Sequence, residues 1–185
     1  MSNYYTLQVA GLTRELPLCP VNEHLDIAAF VMFSDVELTI ACARDLIRIA
    51  PEHDVIITAE SKGIPLAYEM SRQSSKQYLL ARKSAKLYMS RPIRVQVKSI
   101  TTARIQELYI DSTDIACIKD KRVLIVDDVI STGESLAALE SLVEQAGGKV
   151  AGRMAVLAEG DAAKRTDIQF LEELPLFPKG KDTAV

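Results

Sequence analysis

Two adjacent carboxylates, Asp127 and Asp128, close the apolar run Val123-Leu124-Ile125-Val126 and are followed by Ser131-Thr132-Gly133-Glu134-Ser135. An acidic pair at a strand end is placed to face hydroxyls or to hold a hydrated divalent cation. A Ser/Thr/Gly turn that opens a helix offers backbone N–H groups and the positive end of the helix dipole, with the hydroxyls of Ser131, Thr132 and Ser135 as further donors, and so suits a phosphate. Gly133 lets the backbone approach such a ligand closely. Ser131 and Glu134 also fit a capping box, which accounts for the turn but for neither acid. The chain contains no G-x-x-x-x-G-K-[ST] and no G-x-G-x-x-G, so the turn is neither a P-loop nor a dinucleotide fingerprint.

The second chemical feature is a basic band. Arg72, Lys76, Arg82, Lys83, Lys86, Arg91, Arg94, Lys98 and Arg104 lie between Met70 and Gln106, a stretch with no Asp or Glu. The formal charge of −3 hides this, because it averages the band with a remainder of 13 basic against 25 acidic residues. A basic band on an acidic body points to a local anionic ligand. A long polyanion would be repelled by the rest of the surface, so nucleic acid is disfavoured as a partner.

The elements that must position these groups alternate between strand and helix. Tyr4 to Val9 reads as a short strand or arm, and Asp54-Val55-Ile56-Ile57-Thr58-Ala59 as a buried parallel strand. Ser34-Asp35-Val36-Glu37, with Ser34 at the N-cap, opens a helix to about Ala50, ended by Pro51. Gly63 to Ser74 is the next helix, and Gln77 to Ala81 the next strand. Val95-Gln96-Val97 and Leu108-Tyr109-Ile110 read as arms of a hairpin, and Arg122 to Val126 as the strongest strand. Leu136, Leu139, Val143 and Ala146 share one face of a helix that stops at Gly147-Gly148. Lys149 to Leu157 is another strand, and Ile168 to Leu171 a last short one. This order gives an open, mostly parallel α/β sheet flanked by helices, in a single domain of 185 residues. Hydrophobic residues at 48% exclude wholesale disorder. No apolar run approaches a membrane span, and the first dozen residues do not read as a signal peptide. Cys19, Cys42 and Cys117, odd in number and scattered, fit reduced thiols in a cytoplasm.

Val123 to Ser135, with four apolar residues, two acids and a Thr-Gly turn, resembles the ribose-5-phosphate signature of the type I phosphoribosyltransferases. Thr58-Ala59-Glu60-Ser61-Lys62-Gly63-Ile64 resembles the pyrophosphate loop of their adenine and xanthine branch. Ala81-Arg82-Lys83-Ser84-Ala85-Lys86-Leu87 is similar to the A/V-R-K-x-x-K-L segment after that branch's next strand. The three segments fall in the branch's order and spacing, over roughly residues 54 to 159.

The resemblance implies the type I fold, with a small hood over residues 1–33, a mobile β-hairpin lid over 83–105 and a loose tail over 178–185. It implies transfer of ribose 5-phosphate from phosphoribosyl pyrophosphate, with Mg²⁺, to a purine base in salvage. Asp127 and Asp128 correspond to the acids facing the ribose hydroxyls and are candidates to hold the metal through water. Ser131, Thr132, Gly133, Glu134 and Ser135 correspond to the 5-phosphate loop. Glu60, Ser61, Lys62 and Gly63 correspond to the pyrophosphate loop, with Arg82, Lys83 and Lys86 beside it. Asp127, Asp128, Arg82 and Lys86 are the catalytic candidates. The implied assembly is a homodimer, with no nucleic-acid or membrane partner.

The base is less clearly marked. The lid Glu of adenine enzymes aligns at or near Thr102, and Val97-Lys98-Ser99-Ile100-Thr101 is closer to the xanthine enzyme. Asn22, in Val21-Asn22-Glu23-His24, is a base-reading candidate by the same comparison. The Lys that follows Glu in the xanthine enzyme is here Gly160. The Arg82-Lys83-x-x-Lys86-Leu87 segment tips the expectation toward adenine. Xanthine or guanine, or a regulator that senses the donor without turnover, are the alternatives, with an orotate-type enzyme ranked below them.

Overall fold

The computed structural model describes residues 4–98 and 105–179. The chain begins with an antiparallel set, β1 (Tyr4–Val9), β2 (Leu12–Asn22) and β3 (Leu25–Ala28). Then follow α1 (Val36–Ile49), β4 (Val55–Ala59), α2 (Ile64–Ser74) and β5 (Tyr78–Ala81). A hairpin of β6 (Ile93–Lys98) and β7 (Ile105–Ile110) leads to α3 (Ser112–Ile118), β8 (Arg122–Ile130) and α4 (Glu134–Gln145). The chain closes with β9 (Lys149–Glu159), the short 3₁₀ helix η1 (Gly160–Lys164), β10 (Gln169–Leu174) and β11 (Leu176–Pro178). The order β10-β9-β8-β4-β5 forms a five-stranded sheet, parallel throughout.

Both faces of this sheet are covered, which is why its central strands read as unbroken apolar runs. Ile56, Leu124 and Val126 pack with α1, α2 and the N-terminal strands. Their neighbours Val55, Ile57, Val123 and Ile125 pack with α4 and with Val95, Leu108 and Ile110 of the hairpin. The base of the lid is thus part of a core. Its outer part, with Ser99-Ile100-Thr101, Thr102 and Arg104, lies outside the described residues. No helix among the described residues is long and apolar enough to cross a membrane.

Several expectations change in detail. The cap of α1 is Asp35, whose carboxylate accepts from the Leu38 amide, while Ser34 sits at φ +68° outside the helix. Asp35 wins because Arg14 of β2 grips it with two hydrogen bonds, of 2.6 and 3.0 Å. Strand β8 continues to Ile130, so the acid pair lies inside a strand and not at its end. The stop at Gly147-Gly148 is as read: their amides bond Glu144 and Val143 carbonyls, a Schellman turn with Gly147 at φ +78°. The hood extends past residues 1–33 because β11 pairs with β3 as its fourth strand. Pro178 and Lys179 are accordingly paired, Lys179 through its amide to the His24 carbonyl. Of the cysteines, Cys42 is buried and its thiol pushed up to about 12 by that burial, whereas Cys19 and Cys117 are half-buried.

Candidate active site

In an open parallel sheet, ligands bind beyond the carboxyl ends of strands where the winding reverses. Here β5 lies on one side of β4 and β8 on the other, so the reversal falls between β4 and β8. Two of the three segments singled out from the sequence are the loops leaving these two strands, and the third leaves β5.

The loop after β4 presses into the acid pair. A Cβ on Gly63 would overlap Thr58 Oγ1 and lie 2.9 Å from Asp127 Oδ1, so only glycine permits this approach. Lys62 reaches Asp128, with its Nζ 3.5 Å from Oδ2. The Glu60–Ser61 peptide in this loop is cis. Glu60 gathers the basic segment: its carboxylate accepts from the Lys83 amide at 3.0 Å, with Arg82 Nη1 at 3.7 Å and Lys86 Nζ at 4.0 Å. The Lys83 amide above all, and then the charges of Arg82, Lys86 and Lys83, hold Glu60 below the usual carboxylate range. Arg82 is fixed through its backbone, which exchanges two hydrogen bonds with Tyr109 of β7.

Asp128 is buried, only 3% exposed, and Asp127 beside it is half-buried. The Asp128 amide donates to Asp127 Oδ1 at 2.9 Å. Burial first, and the Asp128 charge second, push the Asp127 carboxyl above its usual range, against the pull of Lys62. Asp128 Oδ2 and Thr58 Oγ1 are buried without a hydrogen-bond partner among the described residues. Among the described residues no group of three or more His, Cys, Asp and Glu side chains converges on a metal position.

The loop after β8 forms a cup of about 110 Å³ lined by Asp127 and by Val129 through Leu136. Gly133, at φ +79°, is the N-cap of α4 and makes no side-chain capping bond. The capping reading of Ser131 therefore does not hold; Ser131 and Thr132 are exposed at the helix N-terminus, with Thr132 Oγ1 3.5 Å from the Glu134 amide. A dianion bound there would meet the first amides of α4 and its positive dipole end.

Residues 37–175 match the phosphoribosyl transferase domain family. The chain belongs to the phosphoribosyltransferase family. A hypoxanthine/guanine phosphoribosyltransferase of Methanococcus voltae is 30% identical over 155 residues, which is 80% of this chain and 79% of that one. An adenine phosphoribosyltransferase of Cenarchaeum symbiosum is 39% identical over 112 residues, 60% of this chain and 63% of that one. The crystal structure of adenine phosphoribosyltransferase from Thermoanaerobacter pseudethanolicus shares the fold, with a TM-score of 0.71 at 18% identity over 85% of this chain and 95% of that one.

In this phosphoribosyltransferase the structure brings Lys62 and Gly63 to Asp128 and Asp127, and Glu60 to Arg82, Lys83 and Lys86 of the segment after β5. Asn22 ends β2, where its Oδ1 accepts from the His24 amide. Sequence reasoning passed over Thr58 as a site residue, although it sits within the quoted pyrophosphate segment. It also passed over Arg165, whose guanidinium touches Gly133 and which carries no local signal.

Proposed function

We propose that the protein transfers ribose 5-phosphate from phosphoribosyl pyrophosphate to a purine base, with adenine preferred. The observation that carries this is the seating of Gly63 against Asp127, which joins a cationic loop and a phosphate cup around one acid pair. Breaking the bond from the anomeric carbon to pyrophosphate leaves negative charge on the departing group. Lys62, Arg82 and Lys86 stand where that charge would be met. Asp127 and Asp128 accept from the ribose hydroxyls and orient the sugar. Closure of the hairpin keeps water from the cationic sugar carbon.

The acid pair fits Mg²⁺ held through water together with substrate oxygens, since magnesium keeps several waters and takes one or two carboxylates. When bound, the ion adds charge neutralisation at the leaving pyrophosphate.

The Methanococcus voltae relative, named for hypoxanthine and guanine, supports 6-oxopurines as the second reading. Gly160 favours adenine over xanthine. It sits at φ +58°, and a Cβ there would lie 2.9 Å from Leu176 Cδ1 of the hood, so this backbone resists the lysine of the xanthine enzyme. We place the enzyme in the cytoplasm, supported by three cysteines that form no disulfide. A homodimer is supported by an apolar face on α1 and α2, where Val36, Ile40 and Tyr68 are exposed around a cavity of about 200 Å³.

The deciding experiment incubates the protein with phosphoribosyl pyrophosphate, Mg²⁺ and each purine base, and identifies the nucleotide product by mass. AMP as the main product is expected. IMP or GMP would establish the second reading, and donor binding without any nucleotide would refute the enzymatic one.

A further inference from the structure

Arg165 follows η1 directly, and its side chain turns back onto the loop after β8. Asp167 takes one edge of its guanidinium, accepting from Nε at 2.9 Å and Nη2 at 2.7 Å. The remaining nitrogen, Nη1, lies 2.5 Å from the point a Cβ on Gly133 would occupy. The guanidinium thus rests on the left-handed residue that caps α4. Beside it, Arg153 of β9 and Glu140 of α4 form their own ion pair. Arg165 feels the Glu140 charge and Asp167 the Arg153 charge, so the four groups form one cluster beside α4. A guanidinium held at two nitrogens by one carboxylate is rigid, unlike a solvated surface arginine.

This cluster has no share in the Glu60 network that collects Arg82, Lys83 and Lys86 on the other loop. The cluster pairs each arginine with an acid, so it carries no net charge, and what it leaves for a ligand is the remaining nitrogen of Arg165 beside Gly133. We propose that Arg165 is a positioning residue for the 5-phosphate: lying against Gly133, it holds the loop in shape and offers its remaining guanidinium nitrogen to the phosphate. The inference rests on the phosphoribosyl reading above and deepens it by assigning recognition of the phosphorylated sugar to a residue distant from the motif. A phosphate bound against this nitrogen gains a charge-assisted interaction that an unphosphorylated sugar cannot make.

The test measures binding of ribose 5-phosphate and of pyrophosphate separately, by titration calorimetry, to the full-length protein and to Arg165→Met and Arg165→Lys. Arg165→Met is expected to weaken ribose 5-phosphate about tenfold while leaving pyrophosphate unchanged. Arg165→Lys, which keeps the charge but loses the fork, should fall between. If the Met variant does not fold, the Lys variant must still show the selective loss. Equal weakening of both ligands would reduce Arg165 to a structural part, and unchanged binding of both would dismiss it; either result overturns the proposal. Wild-type protein that takes up neither ligand would instead overturn the phosphoribosyl reading on which it stands.

Discussion

The Asp127 carboxyl is one that the unliganded fold resists ionising. It sits beside a second acid, and among the described residues Lys62 and the Asp128 amide favour its charged form. Removing the ionisable group without changing the shape should relieve the fold and spoil the chemistry. Asp127→Asn is expected to raise the unfolding midpoint of the free protein by about 2–4 °C, equivalent to about 1 kcal/mol at this size, while turnover collapses. A lowered midpoint in differential scanning calorimetry would contradict this. His53 is a second strained group, far from any chemistry. It is buried at the amino ends of the strands, with Nδ1 2.8 Å from the Pro51 carbonyl and Nε2 without a partner among the described residues. Burial foremost holds its basicity below the usual 6.5; Lys76 and Arg122 act in the same direction, while the Pro51 bond and Asp54 oppose them. As pH falls through 6.5 the unfolded chain takes up a proton that the folded chain refuses. Stability should therefore decline on acidification, by at most about 1.4 kcal/mol per pH unit. Urea titrations between pH 7.5 and 5.5 should show this slope, and His53→Gln should flatten it. An identical slope in the variant would sink the assignment.

At the scale of elements, the site is a contact between two loops that leave neighbouring strands. Gly63 is its narrowest point, since both Thr58 and Asp127 crowd the place of a side chain. Gly63→Ala should push the loop outward at a cost of about 1–3 kcal/mol and carry Lys62 away from Asp128. The expected result is a folded protein with pyrophosphate affinity down at least tenfold, read by calorimetry. Unchanged affinity would show that the loop tolerates the shift. The hood is tied to the body by Arg14, which bonds both Asp35 and Glu37 at the start of α1. Arg14→Met should cost about 1 kcal/mol in chemical denaturation, because it also loosens the cap of α1. No loss would assign the docking of the hood to its apolar contacts alone. These packing contacts also explain why the lid arms were readable in sequence. Val95, Leu108 and Ile110 alternate because one side of the hairpin is buried on α4.

At the scale of the whole molecule, the band from Arg72 to Arg104 is a net positive stretch on an acidic body. A polyanionic donor should be drawn toward that band, so kcat/KM for phosphoribosyl pyrophosphate should fall as NaCl rises at fixed Mg²⁺. Indifference to salt would confine the band's role to direct contacts. The band, the acid pair, the phosphate turn and the parallel strands were legible in sequence because each depends on residues adjacent in the chain. Asp127 to Ser135 is one continuous stretch, and an apolar run buried on both faces declares itself by composition. Other features were not legible. The cap at Asp35 was decided by Arg14 from another strand, and the hood's fourth strand came from the far end of the chain. Gly63 meets Asp127, and Arg165 meets Gly133, only because β8 pairs beside β4 and the chain folds back after β9. The sequence by itself determined the chemistry available: two acids, a phosphate turn and a set of cations. The tertiary structure alone decided which of these groups meet, because sheet order follows from burial of both sheet faces over the whole chain, and local spacing carries no record of it.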